Sequence, residues 1–163
     1  MSSASGKPDA LLVSAPKIAL RRALESDRAF VERVYFETQR WIIEALLGWR
    51  GDDVESERFA EQYGAPNTSI VTVDGEDAGW LTVQRGSDIY LQSIYLVAKH
   101  QRRGIGTRLL QALLDEGRER GTAVRLDTAR INPARRLYER LGFTTISEDR
   151  FKIYMQSTSC GSG

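Results

Sequence analysis

Gln-Arg-Arg-Gly-Ile-Gly-Thr, residues 101–107, is the stretch on which the reading of this chain turns. It follows an apolar, strand-like run at 89–97 and opens an amphipathic helix at 104–120. Strand, glycine-bearing turn and helix start together make an anion cradle. The first backbone N–H groups of a helix have no intrahelical partner, and the helix dipole adds partial positive charge there. Gly104 and Gly106 remove the Cβ atoms that would hold an anion away, and Arg102 and Arg103 add full charges. Ile105 and Thr107 complete a loop suited to a pyrophosphate. A lone G-x-G can also be an ordinary turn. The dinucleotide fingerprint G-x-G-x-x-G fails at Leu109, and no Gly-Lys-Ser/Thr occurs.

A second constellation follows at 127–143, D-T-A-R-I-N-P-A-R-R-L-Y-E-R-L-G-F. Asn132 is a good N-cap, Pro133 suits the first helical position and Gly142 suits the terminator. A helix of about nine residues is expected between them, with Ala134, Leu137, Tyr138 and Leu141 as its apolar stripe. Tyr138 then sits at the edge of a buried face with its hydroxyl able to reach a cleft, although a core tyrosine with a wet tip fits the same pattern.

In this order and spacing the two constellations resemble the GNAT superfamily of acyl-CoA-dependent N-acyltransferases. Gln101 to Gly106 match that family's Q/R-x-x-G-x-G/A motif. Asn132, Ala134, Tyr138, Gly142 and Phe143 match its N-x-A-x-x-x-Y-x-x-x-G-F segment. The resemblance spans roughly residues 18 to 156 and is specific for the coenzyme half, not for the acceptor half. It implies an α/β fold of three layers, with a central, mostly antiparallel mixed sheet, helices on both faces and one splayed parallel strand pair. It also implies acetyl-CoA as co-substrate. The pantetheine arm would pair with Ile94, Tyr95 and Leu96, the pyrophosphate would lie on Gln101 to Thr107, and Asn132, Arg135 and Tyr138 would complete the coenzyme site.

The rest of the chain agrees. A length of 163 residues suits one domain, expected at 17–156, between disordered segments at 1–16 and 157–163. Composition is that of a soluble globular protein, 41% hydrophobic and 28% charged with net charge +1. No apolar run approaches the roughly 20 residues of a membrane span. The single Cys160 excludes an internal disulfide framework and points to the cytoplasm. One Cys and one His give no zinc site, and no metal is expected. Residues 1–97 carry ten basic and fifteen acidic side chains, whereas 98–163 carry thirteen and seven. The basic half holds both motifs, which suits a polyanionic ligand. It lacks interleaved exposed aromatics, so no nucleic-acid partner is expected. A homodimer stays open.

The expected elements are a strand at 18–22, a helix at 28–47 capped by Asp27 and broken near Gln39, and a helix at 54–63 capped by Asp53. A hairpin (69–73 and 78–84) turns at Asp74-Gly75. After the central strand and helix come a strand at 124–127, the short helix, and strands at 144–147 and 151–155.

Acyl transfer to a primary amine needs a neutral amine, N–H donors for the developing oxyanion, and a proton or its equivalent for the departing thiolate. The resemblance gives Tyr138 the last role. Asp127, at the end of the cleft strand, is the candidate base, directly or through water, and a loop-capping carboxylate is the alternative. Glu44 and Glu37 are rivals, and Gln92 can orient a water. His100 is expected at the surface. Tyr35, Trp41, Trp49 and Gln92 are candidate acceptor contacts, although both tryptophans also suit a core. Arg40 and Arg50 argue against a purely acidic acceptor pocket. A small-molecule amine, a protein or peptide amine, and a carboxylate-bearing acceptor all stay open. A non-catalytic acyl-CoA-binding module and a different acyl donor are the alternatives.

Overall fold

The computed structural model describes residues 15–63 and 65–158. Nearly all of the two terminal segments expected to be disordered, and Cys160, lie outside the described residues. Seven strands form one sheet: β1 (Ile18–Arg22), β2 (Thr68–Val73), β3 (Glu76–Arg85), β4 (Ile89–Leu96), β5 (Val124–Ala129), β6 (Phe143–Glu148) and β7 (Lys152–Ser157). Their order is β1-β2-β3-β4-β5-β7-β6. Every neighbouring pair is antiparallel except β4 and β5. Helices α1 (Arg28–Leu46) and α2 (Asp52–Gln62) cover one face, and α3 (Ile105–Arg120) and α4 (Arg135–Arg140) cover the other. The α/β architecture with a mostly antiparallel sheet and one parallel pair is as expected. Among the described residues no helix is long and apolar enough to cross a membrane.

Each face has its own core. Ile105, Leu109, Leu110, Leu113 and Leu114 recur at helical spacing on α3 and pack on Val71, Leu81, Ile89, Leu91, Val124 and Leu126. On the other face, Val31 and Val34 of α1 and Phe59 of α2 close over Ile70 and Trp80. The Trp80 indole N–H donates to the Val31 carbonyl at 3.0 Å, which pins α1 to the sheet. Burying each such side chain contributes roughly 1.5–3 kcal/mol.

Local chemistry departs from the expectations at several points. Helix α1 is unbroken through Gln39, because Val34 and Ile42 keep its buried stripe in phase across that residue. Asp27 precedes α1 but does not cap it. Its carboxylate instead receives the Arg21 guanidinium through two bonds of 2.9 Å and the Leu24 N–H at 2.7 Å. Helix α2 starts at Asp52, one residue before its expected cap, with Gly51 ahead of it. Asp74 and Gly75 both take positive φ, the twist a two-residue hairpin requires. Strand β5 continues two residues past Asp127. β7 reaches Ser157, one residue past the expected domain end, since the Ser157 hydroxyl accepts the Val124 N–H at 2.8 Å.

The Arg21–Asp27 pair joins β1 to the start of α1. Arg21 and the Leu24 N–H hold the Asp27 carboxyl below the usual range. Its contribution is therefore complete above the unfolded carboxylate pKa of about 4 and is lost as pH falls through the lower folded value. Asp27→Asn is expected to cost about 1–3 kcal/mol in urea unfolding at neutral pH. The gap to the wild type should close in strong acid, and an undiminished gap there contradicts the assignment.

Candidate active site

The site is built by β4. Its ladder to β5 lasts only three residues, Ile89↔Val124, Tyr90↔Arg125 and Leu91↔Leu126. Beyond them β4 pairs with β3 alone and β5 with β7 alone. The parting coincides with a bulge. Thr82 of β3 faces Ser93 and Val83 faces Leu91, so Gln92 has no partner. The extra residue inverts the alternation. Ile89 and Leu91 face the α3 core before it, Ile94 and Leu96 face that core after it, and Tyr95 turns to the α1 side. Gly79 of β3 holds the far half of β4 close: a Cβ there would stand 2.1 Å from the Tyr95 carbonyl oxygen. The side of residues 92–96 that would face β5 is left without a strand partner.

The gap opens into a cavity of about 600 Å³. Of the sequence-predicted residues, Ile94, Tyr95, Leu96, Gln101, Asn132, Tyr138, Asp127, Gln92 and Tyr35 all line it. At one end Gln101 donates its side-chain amide to the Leu96 carbonyl at 2.8 Å and so ties the loop to the strand. The loop itself uses positive φ at Arg102 (61°) and at Gly104 (79°), the residue before α3. The first helical bond of α3 runs from the Arg108 N–H to the Gly104 carbonyl at 3.0 Å. Among the described residues, the N–H groups of 102–107 donate to no protein acceptor. Nothing lies within 4 Å of a Cβ built on Gly104 or Gly106, so the concavity is open on that side. Arg103 extends beside it and bonds the His100 Nδ1 at 3.0 Å. A polyphosphate fits this arrangement: unspent N–H donors, a helix start and the guanidinium groups of Arg102 and Arg103.

At the other end stand Tyr138 and Asp127. Asn132 does not begin the helix, as expected, but precedes it. Its Oδ1 accepts the Ala134 N–H at 2.9 Å and its Nδ2 donates to the Thr128 Oγ1 at 2.9 Å. This clamp starts α4 at Arg135 and shortens it to six residues. Tyr138 lies on its buried face with its ring 6.1 Å from Phe143. Burial, with a smaller contribution from the Asp127 charge, pushes its hydroxyl up to about 12. Asp127 is not a strand-end residue. Its carboxylate accepts the Tyr90 hydroxyl through one oxygen and the Lys152 ammonium, 3.0 Å away, through the other. Burial and that carboxylate push the Tyr90 hydroxyl up as well.

Other residues lie elsewhere. Trp41 is half exposed on α1, and Trp49 packs on Phe36 with the Arg40 guanidinium 4.3 Å from its ring centre. Neither tryptophan lines the cavity. Glu37 and Glu44 form exposed pairs with Arg33 and Arg40 along α1. Arg135 is paired with Glu139 at 3.2 Å. His100 is buried rather than exposed, held between Arg103 and Glu76. Sequence reasoning missed Tyr90 and Lys152. The alternation of β7 puts Lys152 on the same face as Asp127 once the Asp127↔Tyr154 register is known, and that register was the missing information.

The acetyltransferase (GNAT) family model matches residues 24–143. The probable N-acetyltransferase camello of Xenopus tropicalis is 38% identical over 80 residues, a match covering 45% of this chain and 36% of that protein. The chain thus spans about a third of the length of that curated relative. Among solved structures, the PaiA N-acetyltransferase of Thermoplasma acidophilum, in complex with coenzyme A, superposes with a TM-score of 0.69 at 17% identity, covering 87% of this chain and 99% of that one. A GCN5-related N-acetyltransferase of Rhodopseudomonas palustris gives 0.66 at 18% identity, covering 89% and 96%.

Gly79→Ala tests the wall of the gap. The added methyl must push β4 away from β3, at an expected cost of about 1–3 kcal/mol in denaturant unfolding. A midpoint equal to the wild type shows that the close approach is not needed.

Proposed function

The chain belongs to the acetyltransferase (GNAT) family, and on that premise we propose that it transfers an acetyl group from acetyl-CoA to a primary amine, with both substrates bound when the amine attacks. One observation carries this reading. The sheet parts after Leu91 and Leu126, and the resulting cavity is lined by Tyr138, Asp127 and Gln101, the last of which leads directly into the unspent N–H donors of 102–107. The residues present fit the donor. The N–H groups of 102–107 with Arg102 and Arg103 would hold its pyrophosphate, and the unpaired side of 92–96 would take the amide groups of its arm as an added strand.

Bound there, acetyl-CoA supplies an acyl carbon and a thiol leaving group. The acceptor enters as an ammonium. Asp127 attracts it and orients it, and one proton leaves to water before attack. A nitrogen–carbon bond forms, the carbon–sulfur bond breaks, and the nitrogen loses its second proton. Tyr138 gives its hydroxyl proton to the departing sulfur and is reprotonated through solvent. Its elevated pKa keeps that proton in place at any working pH, so it is always ready as a donor and never competes as a base.

Three outcomes are expected. Tyr138→Phe should lower kcat roughly 10–100-fold while leaving the calorimetric Kd for coenzyme A within about twofold. An unchanged kcat removes Tyr138 from the chemistry. In the wild type, kcat/KM should climb with pH as the amine deprotonates, with no downturn from Tyr138 until about pH 12. Gly106→Asp places a carboxylate in the cradle and should weaken coenzyme A by at least roughly tenfold. Release of free thiol from acetyl-CoA across an amine panel tests the activity itself. Coenzyme binding without release for any amine would leave a binding module.

A further inference from the structure

A second cavity, of about 440 Å³, lies on the α1/α2 side of the gap and shares Tyr35, Gln62, Gln92, Ser93, Asp127 and Lys152 with the first. It is where an acceptor would approach the acyl carbon. Its wall is aromatic: Tyr35, Phe59, Tyr63 and Trp80 touch one another with ring centres 5.0 to 6.2 Å apart. The polar groups at its rim are neutral amides and hydroxyls except at one place, where Asp127 and Lys152 stand together. Among the described residues these two are the only charged side chains lining either cavity. Arg40 and Arg50, which argued from sequence against an acidic pocket, do not line it.

A cavity with one acid, one base and an aromatic wall discriminates among amines. A polyamine or aminosugar brings several ammonium groups, and each after the first would lie near rings and amides with no carboxylate. A plain alkylamine satisfies Asp127 but displaces Lys152 and leaves it without an anion. An α-amino acid brings both charges on neighbouring carbons. Its ammonium takes the place of the Lys152 ammonium at Asp127, its carboxylate receives Lys152, and an apolar side chain covers the rings. Lys152 is half exposed on a flexible stem, so it can make this exchange without leaving the rim.

We propose that the acceptor is a free α-amino acid with an apolar side chain, its carboxylate held by Lys152 and its amine presented by Asp127 and Tyr90. The proposal rests on the N-acetyltransferase reading above. The stoichiometry follows that reaction: the amino nitrogen gains the acetyl carbon, sulfur leaves and is protonated, and two protons depart the nitrogen. The product keeps its carboxylate but no longer has a cation for Asp127. Lys152 can then return to its original partner, which favours release.

The test uses the intact protein with acetyl-CoA and reads free thiol. L-Phenylalanine and L-leucine are compared with glycine, phenylalaninamide, phenethylamine, Nα-acetyl-lysine and spermidine. The expected order places phenylalanine or leucine first, with at least tenfold lower kcat/KM for the amide, the decarboxylated amine and glycine. Lys152→Met should lower the ratio of kcat/KM for phenylalanine over phenethylamine at least tenfold, and Lys152→Arg should restore most of it. Equal or better use of the amide, of phenethylamine or of spermidine overturns the amino-acid assignment while leaving N-acetylation intact. So does an unchanged ratio in Lys152→Met. No thiol release with any amine, despite coenzyme A binding, overturns both readings.

Discussion

The parting of β4 from β5 is the constraint on which everything else depends. A parallel ladder that continued past Leu91 and Leu126 would satisfy its own backbone and leave no gap. The bulge at Gln92 ends it. Because one unpaired residue inverts the alternation, the far half of β4 must turn Ile94 and Leu96 towards the α3 core and Tyr95 towards α1, and both cores then hold it in place. The gap is therefore not a weak point in the sheet. β3 and β7 remain fully paired on either side, and the apolar packing of two independent layers keeps the strands apart.

Free backbone groups are the functional consequence. An unpaired N–H in a dry site costs stability, so proteins rarely leave a row of them. Here free backbone groups occur twice in sequence, along one side of 92–96 and along the partly exposed loop at 102–107. They are joined by the Gln101 amide on the Leu96 carbonyl. The positive φ of Arg102 and Gly104 belongs to the same arrangement, since it turns successive N–H groups towards one concave side. His100 supports the loop from beneath through Arg103, a role that its sequence neighbourhood of Lys and Arg did not disclose.

The loop and helix starts around residues 101–107 and 132–142 were legible in the sequence because they are written in local signals. Glycines at 104 and 106, Pro133, Gly142 and the stripe of α3 each constrain their own few residues. The acceptor half depends on which strands lie side by side. Asp127 was legible as a cleft carboxylate, but Lys152 and Tyr90 reach it from β7 and β4, twenty-five residues after it and thirty-seven before it. No local pattern encodes that meeting. The bulge was partly written: in I-Y-L-Q-S-I-Y-L the apolar positions move from 89 and 91 to 94 and 96. That shift of phase is the signature of one inserted residue. Trp41 and Trp49 misled for the opposite reason. Aromatics near a helix end invite a binding reading, and here Trp49 is occupied by Phe36 and Arg40, while its indole N–H donates to Asp52.

The electrostatics of the site follow from the same geometry. The chain separates an acidic first part from a basic second part, yet among the described residues the two cavities between them are lined by only one charged side chain of each sign. Several acidic residues of α1 and α2 are engaged in pairs on solvated surfaces, such as Arg33 with Glu37 and Arg40 with Glu44. These pairs contribute little to stability and project little field into the gap. What remains inside is a short chain of groups, Lys152 to Asp127 to Tyr90, with Tyr138 facing the same carboxylate. In this low-dielectric space the single negative charge acts on all three. Burial is the larger cause that keeps both tyrosines protonated, and this charge adds to it. One carboxylate at the mouth of the gap, paired with the Lys152 ammonium at 3.0 Å, is thus the negative charge that both tyrosine hydroxyls meet.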